Sequence, residues 1–464
     1  MEQEQQTKVD LGSGSVGRLL LRLALPTIIA QIINVLYNIV DRIYIGHIPG
    51  QGSLALTGVG VTMPVIMAIS AFAALVSMGG APRAAIMLGK DNKEEAEKIL
   101  GNCTVSLVFV AVILTGVFQI FGRDILMVFG ASENTIGYAS DYMRIYTLGT
   151  IFVQLALGLN AFINTQGYAK TGMITIAIGA VCNIILDPIF IFGFGMGVNG
   201  AALATIISQA VSAVWVVRFL CSPKSYLRIR KKNFRLESKI ILPCLALGLS
   251  PFVMQFTESV LSVCFNTSLL KYGGDIAVGA MAILSSVMQF SMLPLQGMTQ
   301  GAQPIISFNY GAGNFERVAK TFRLLLIVCV GYSCTLWLLS MVTPQLLVGM
   351  FTNEADLMAY GEWALRIYMA VSLLFGIQIA CQQSFIALGN AKTSLFLAVL
   401  RKVILLIPLI YIVPNFVNDK AMGVFLAEPI ADGIAVLTTG ILFLRMFRKL
   451  KMQMAGYKKV EENG

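Results

Sequence analysis

The stretch "MRIYTLGTIFVQLALGLNAFINTQGYAKT", residues 143–171, returns in altered form at 365–393 as "LRIYMAVSLLFGIQIACQQSFIALGNAKT". Two blocks carry the likeness, MRIY against LRIY and GYAKT against GNAKT, and both are displaced by 222 residues. The same displacement pairs Gly79 with Gly301, Gly89 with Gly311, Asn92 with Asn314, Glu94 with Glu316 and Lys98 with Lys320. Separated blocks in a single register mark a duplicated unit, and duplication of this kind is how many membrane carriers are built.

The composition names the solvent. Of 464 residues, 56% are apolar and 12% charged, the mean hydropathy is +0.77, and an ordinary globular chain carries about 25% charged residues. Apolar runs long enough to cross a bilayer as helices fall at about 22–45, 53–80, 98–121, 137–164, 171–193, 198–220, 240–268, 275–304, 318–342, 358–387, 393–413 and 421–444. The short alternating segments of a barrel are missing. The expected fold is an all-α membrane protein of twelve transmembrane helices, arranged as two parallel six-helix repeats around a central cleft. Residues 1–221 form the N-terminal lobe, 222–239 a basic cytoplasmic linker, and 240–464 the C-terminal lobe with a basic tail.

Lys and Arg set the orientation, because they collect in cytoplasmic loops. The linker "SPKSYLRIRKKNFRLESK" is densely basic, whereas the loops at 46–52, 194–198 and 415–419 carry no Lys or Arg. Both termini are therefore expected in the cytoplasm. The polar first 17 residues lead into a long run without a small-residue cleavage site, so the first helix reads as retained. The net charge of +10 follows from the loop bias and calls for anionic lipid headgroups as partners, not nucleic acid. Eight cysteines stand singly, and the sole histidine, His47, has no partners for a metal or haem site. Neither HExxH nor GxSxG occurs, so an enzyme is not expected, and neither is a cofactor.

A carboxylate inside a spanning helix is costly unless it faces a cavity or performs a task. Asp41 in "YNIVDRIYIG", Asp187 in "NIILDPIF" and Glu258 in "QFTESVLS" are such residues, and all fall in the outer half of outward-running helices. On the first helix Gln31, Asn34, Asn38 and Asp41 share one face; on the fifth, Asn183 and Asp187 are one turn apart; on the eighth, Gln289, Gln296, Gln300 and Gln303 line up. Polar stripes also glue helices together, and Asp41 next to Arg42 can be read as a surface ion pair. Adding 222 to Asp41 and Asp187 reaches Val263 and Leu409, and subtracting it from Glu258 reaches Leu36. The scaffold is duplicated; the acids are not. Two chemistries fit them. Desolvation favours the neutral form of a carboxyl, so an Asp here can carry a proton from one side to the other. Alternatively Asp41, Asn183, Asp187 and Thr205 offer hard oxygen ligands for Na⁺.

The segments "ALPTIIAQIINVLYNIVDRIYIGHI" (24–48), "NTQGYAKT" (164–171), "NIILDPIFIFGFGMGVNGAALAT" (183–205) and "YGAGNFERV" (310–318) resemble the multidrug and toxic compound extrusion (MATE) family over nearly the whole chain. The resemblance implies export of cationic or amphipathic organic compounds in exchange for H⁺ or Na⁺. It implies a cation site at Asp41, Asn183, Asp187 and Thr205, with Asn160 nearby, and matches Glu258 to an acid found in some branches. Asn34, Asn38, Gln289 and Gln296 are the further cavity candidates. Where those branches also have an acid on the tenth helix, this chain has Gln378, Gln382 and Gln383, and where many relatives have an Arg it has Asn164. A lipid-linked oligosaccharide flippase of the same superfamily is the alternative, with Arg401 and Lys402 as the main basic residues placed for it. The expected setting is a bacterial inner membrane, with the chain acting as a monomer on small-molecule organic cations.

Overall fold

The computed structural model describes residues 9–50 and 52–461, with side chains to residue 452. The outermost part of the polar N-terminal segment and the last three residues of the basic tail lie outside the described residues. No strand occurs among the described residues, as a hydrocarbon solvent requires of a chain that must satisfy its backbone within each segment.

The helices are α1 (Val16–Gly46), α2 (Gly52–Gly89), α3 (Lys93–Val128), α4 (Ile136–Leu148), α5 (Thr150–Thr165), α6 (Ala169–Pro188), α7 (Val198–Cys221), α8 (Ser238–Gly311), α9 (Phe315–Val342), α10 (Pro344–Gly349), α11 (Ala355–Tyr368), α12 (Phe375–Ala387), α13 (Ala391–Val399), α14 (Ile407–Ile412) and α15 (Lys420–Glu461). Nine helical segments among the described residues are long and apolar enough to cross a bilayer, and the bent pairs α4/α5 and α11/α12 raise the count to eleven. The long α8 is two spans, since Gly274 breaks it with φ 68° and ψ −163°. That makes the twelve expected spans of a multi-pass membrane protein.

Gly274 occupies a backbone region that is essentially closed to residues with a Cβ. Gly274→Ala is expected to destabilise the fold by about 1–3 kcal/mol, read as a lowered midpoint of thermal unfolding in detergent.

The duplication is visible in local chemistry. Asn92 caps α3 by accepting the Glu95 N–H at 3.0 Å, and Asn314 caps α9 by accepting the Arg317 N–H at 3.3 Å. The residues before them, Asp91 (φ 57°) and Gly313 (φ 71°), make the same left-handed turn. The kinks correspond too, 57° between α4 and α5 and 46° between α11 and α12.

The halves meet through glycines on the side of the basic loops. A Cβ on Gly79 would lie 1.8 Å from the Cys244 carbonyl oxygen, and one on Gly248 1.8 Å from that of Leu75. Gly89 faces the Phe308 carbonyl and Gly311 faces the Ile86 carbonyl, each at 2.0 Å from the same hypothetical atom. These are reciprocal contacts about the repeat axis, because Phe308 is the counterpart of Ile86. Higher up, the Thr27 hydroxyl donates to the Gly297 carbonyl at 2.6 Å and Gln31 donates to Gln300 at 3.2 Å. The apolar cores cross the seam at this end: Leu19, Leu20 and Leu23 of α1 join a cluster of the second half, while Ile240, Ile241 and Cys244 of α8 join one of the first. Toward the other face each half keeps a core of its own.

Residues 9–14 strap this end. Val9 N–H donates to the Gly167 carbonyl, Asn309 donates to the Leu11 carbonyl, and Arg317 donates to those of Ser13 and Gly14. The linker is pinned to the first half: Gln166 accepts from Leu227 N–H and the Ser225 hydroxyl, Asn102 accepts from Glu237 N–H, and Arg230 pairs with Glu97.

Candidate functional site in the first half

On α6, Asn183 and Asp187 stack one turn apart, and the Asn183 amide donates to an Asp187 carboxyl oxygen at 3.1 Å. The same amide reaches the Thr205 hydroxyl of α7 at 3.4 Å, which in turn donates to the Ala201 carbonyl at 3.0 Å. Across from α6, α1 brings the Asp41 carboxyl within hydrogen-bond reach of Asp187. Asp187 is fully buried and Asp41, Asn183 and Thr205 are nearly so. Arg42 is exposed, and among the described residues no ion pair joins it to Asp41.

Three oxygens of this group, one each from Asp41, Asn183 and Asp187, are buried without a hydrogen-bond donor. Buried polar atoms are normally satisfied, and two adjoining carboxylates cannot both stay ionised out of water without a proton or a cation between them. The donor set is hard oxygen, so it suits H⁺ or Na⁺ and not a soft metal. Directly after Asp187, Pro188 starts a π-helical turn, Ile189–Gly193, the kind of local irregularity that recurs at functional sites.

Beside these residues lies a cavity of about 60 Å³ lined by Asn34, Tyr37, Asn160, Thr175, Asn183, Thr205, Ser208, Gln209 and Ser212, among others. Asn160 donates to the Gly172 carbonyl at 3.2 Å and leaves its oxygen without a partner. Asn38 is spent on the backbone carbonyl of Asn34, at 2.6 Å. Tyr37 and Tyr142 stand within electrostatic reach of the carboxyls; sequence reading missed both. It also missed Ser208, Gln209 and Ser212, although their spacing from Thr205 places all four on one face of α7.

Glu258 is elsewhere, in the second half. Its carboxylate accepts a 2.9 Å ion pair from Lys402, and Arg401 next door is paired with Asp432 and Glu428 of α15. The two α15 acids were overlooked in the sequence, although a count of charges in the last apolar run finds them. Gln382 ties α12 to α8 and α13 through Ser250 and the Ser394 carbonyl, at 3.0 and 3.1 Å. Gln289 and Gln296 are exposed and line neither this cavity nor that of the second half.

A profile of the family described as MatE matches residues 26–189 and 251–412. "Multidrug export protein MepA" of Staphylococcus haemolyticus (strain JCSC1435) is 24% identical over 447 residues, which cover 96% of this chain and 97% of the relative. Among solved structures, that of the MATE multidrug transporter DinF-BH is 34% identical, with a TM-score of 0.87 over 95% of this chain and 98% of that one. A MATE in the bent conformation has a TM-score of 0.89 at 23% identity, covering 95% of this chain and 98% of that one.

Proposed function

Because this chain belongs to the MatE family, the multidrug and toxic compound extrusion transporters, we propose that it is a secondary antiporter exporting cationic or amphipathic organic compounds in exchange for H⁺ or Na⁺. The observation that carries the reading is the Asp41/Asp187 pair, two buried carboxyls in contact with donorless oxygens around them. A site of that chemistry holds one small cation at a time, beside a cavity of about 60 Å³.

With the basic loops in the cytoplasm, both termini are cytoplasmic, the glycine seam closes the cytoplasmic side, and the halves are poised toward the outside. A cation arriving from outside neutralises the pair and relaxes the packing of α1 on α6. Exchange then follows from thermodynamic reciprocity: if the cation lowers the affinity for the organic substrate, the substrate lowers that for the cation by the same factor. Both cavities lie within one chain, which supports a working monomer in a bacterial inner membrane, with anionic lipids against the basic linker. Arg401 and Lys402 do not favour the flippase alternative, because three carboxylates neutralise them and leave no free positive surface for a pyrophosphate.

The reading is tested by ethidium transport in proteoliposomes with the pH and Na⁺ gradients imposed separately. One of the two gradients should drive it; indifference to both would refute the proposal.

A further inference from the structure

The second half contains a site built from the same helices of the repeat, with different residues. In the first half the carboxyls and Thr205 come from α1, α6 and α7. In the second, Glu258 comes from the first part of α8, Arg401 and Lys402 from the π-helical turn between α13 and α14, and Glu428 and Asp432 from α15. Those are the repeat counterparts of α1, α6 and α7. None of the five residues is duplicated: at the 222-residue displacement their equivalents are Leu36, Gly179, Ala180, Ile206 and Ala210, all uncharged. The charges of this site therefore belong to the second half alone.

The cavity here is about 270 Å³, more than four times the one beside Asp187 and close to the lower end of the range for organic ligands. Glu258 and Glu428 line it together with Lys402, and Phe265, Met281 and Tyr368 supply apolar and aromatic wall. The rings of Phe265 and Tyr368 meet edge to face at 6.3 Å. Glu258 is the accessible member, its side chain 54% exposed, while Lys402 behind it is 7% exposed. The group holds three carboxylates, Glu258, Glu428 and Asp432, against two cations, Arg401 and Lys402. One monovalent cation therefore completes its charge balance.

We propose that this cavity binds the exported organic cation and that Lys402 is a tethered competitor for it: substrate takes Glu258 from the Lys402 ammonium, and the ammonium reclaims Glu258 as substrate leaves. The displaced ammonium remains within electrostatic reach of Glu428, so it is never stranded without a counter-charge, and Arg401 stays with Asp432. The second half thus carries its own exchanging cation, covalently attached, where the first half uses a mobile one. A flat, delocalised cation with an apolar body matches the carboxylate and the aromatic wall. The proposal rests on the reading that organic cations are the substrates.

The test is equilibrium binding of ethidium to purified protein in nanodiscs, followed by fluorescence. Lys402→Gln should tighten binding about five- to tenfold, the low end of typical coupling between competing ligands. Lys402→Arg should weaken it, because a guanidinium grips a carboxylate through two hydrogen bonds and is harder to displace. Glu258→Gln should weaken it as well, and the gain from Lys402→Gln should be clearly smaller in that variant than in wild type, because only the general charge effect remains once Glu258 is no longer there to be contested. Unchanged or weaker binding in Lys402→Gln overturns the proposal; should that variant not fold, unchanged binding in Lys402→Arg overturns it instead. Wild-type ethidium binding that ignores both Lys402 and Glu258 sinks this inference alone and leaves antiport through Asp41/Asp187 standing. Failure of wild type to bind any organic cation sinks the substrate reading with it.

Discussion

Asp187→Asn is expected to leave an inserted, folded protein that no longer couples export to a cation gradient. The amide is close in shape to the carboxyl, and its oxygen can still accept the 3.1 Å bond from Asn183, so the packing of α6 is preserved. On the proposed mechanism, what disappears is the charge that would hold a proton or Na⁺ beside Asp41. Coupling between two ligands typically amounts to about 1–3 kcal/mol, or 5- to 150-fold in affinity, and the variant should lose that whole factor. The measurement is ethidium export from proteoliposomes with and without the driving gradient: wild type is accelerated by the gradient, whereas Asp187→Asn runs at the same slow rate in both conditions. Wild-type coupling in the variant would give Asp187 a purely structural role.

The second large effect concerns the seam. Gly79→Leu places a branched side chain where even a Cβ would sit 1.8 Å from the Cys244 carbonyl. Helix backbones cannot yield that distance locally, so the halves must part on the side of the basic loops. A state normally populated at about 0.1–10% should become the dominant one, with a gain of at least about fivefold in its population. Cys244 is a built-in reporter, because its thiol is buried at the seam. Maleimide labelling of Cys244, read peptide by peptide in a mass spectrometer, should be slow in wild type and fast in Gly79→Leu. Equal protection in both would mean that the seam does not open as a unit.

Much of the fold is legible in the sequence because bilayer thickness sets the length of each apolar run and the 222-residue displacement sets the number of repeats. The bends between α4 and α5 and between α11 and α12 are not legible in that way, because neither run contains a proline to mark the break. Asn183, Asp187 and Thr205 stand out because polar groups in hydrocarbon are expensive. The approach of Asp41 to Asp187 is a different matter, since it depends on how α1 lies against α6. Tyr37 and Tyr142 are hidden by their chemistry, for an aromatic ring in a span is ordinary until the fold brings it within electrostatic reach of a carboxyl. Lys402 and Glu258 are far apart in the chain, so neither residue discloses from sequence that the other neutralises it.

The most direct measurement is the cation released when an organic cation binds. Purified protein in weakly buffered solution is titrated with ethidium while a pH indicator and a Na⁺ electrode follow the two candidate ions. Antiport through Asp41 and Asp187 predicts release of one of these ions on binding, and loss of that release when both residues are changed to Asn. Release that persists in the double variant, or binding by wild type that releases neither ion, would contradict the central claim.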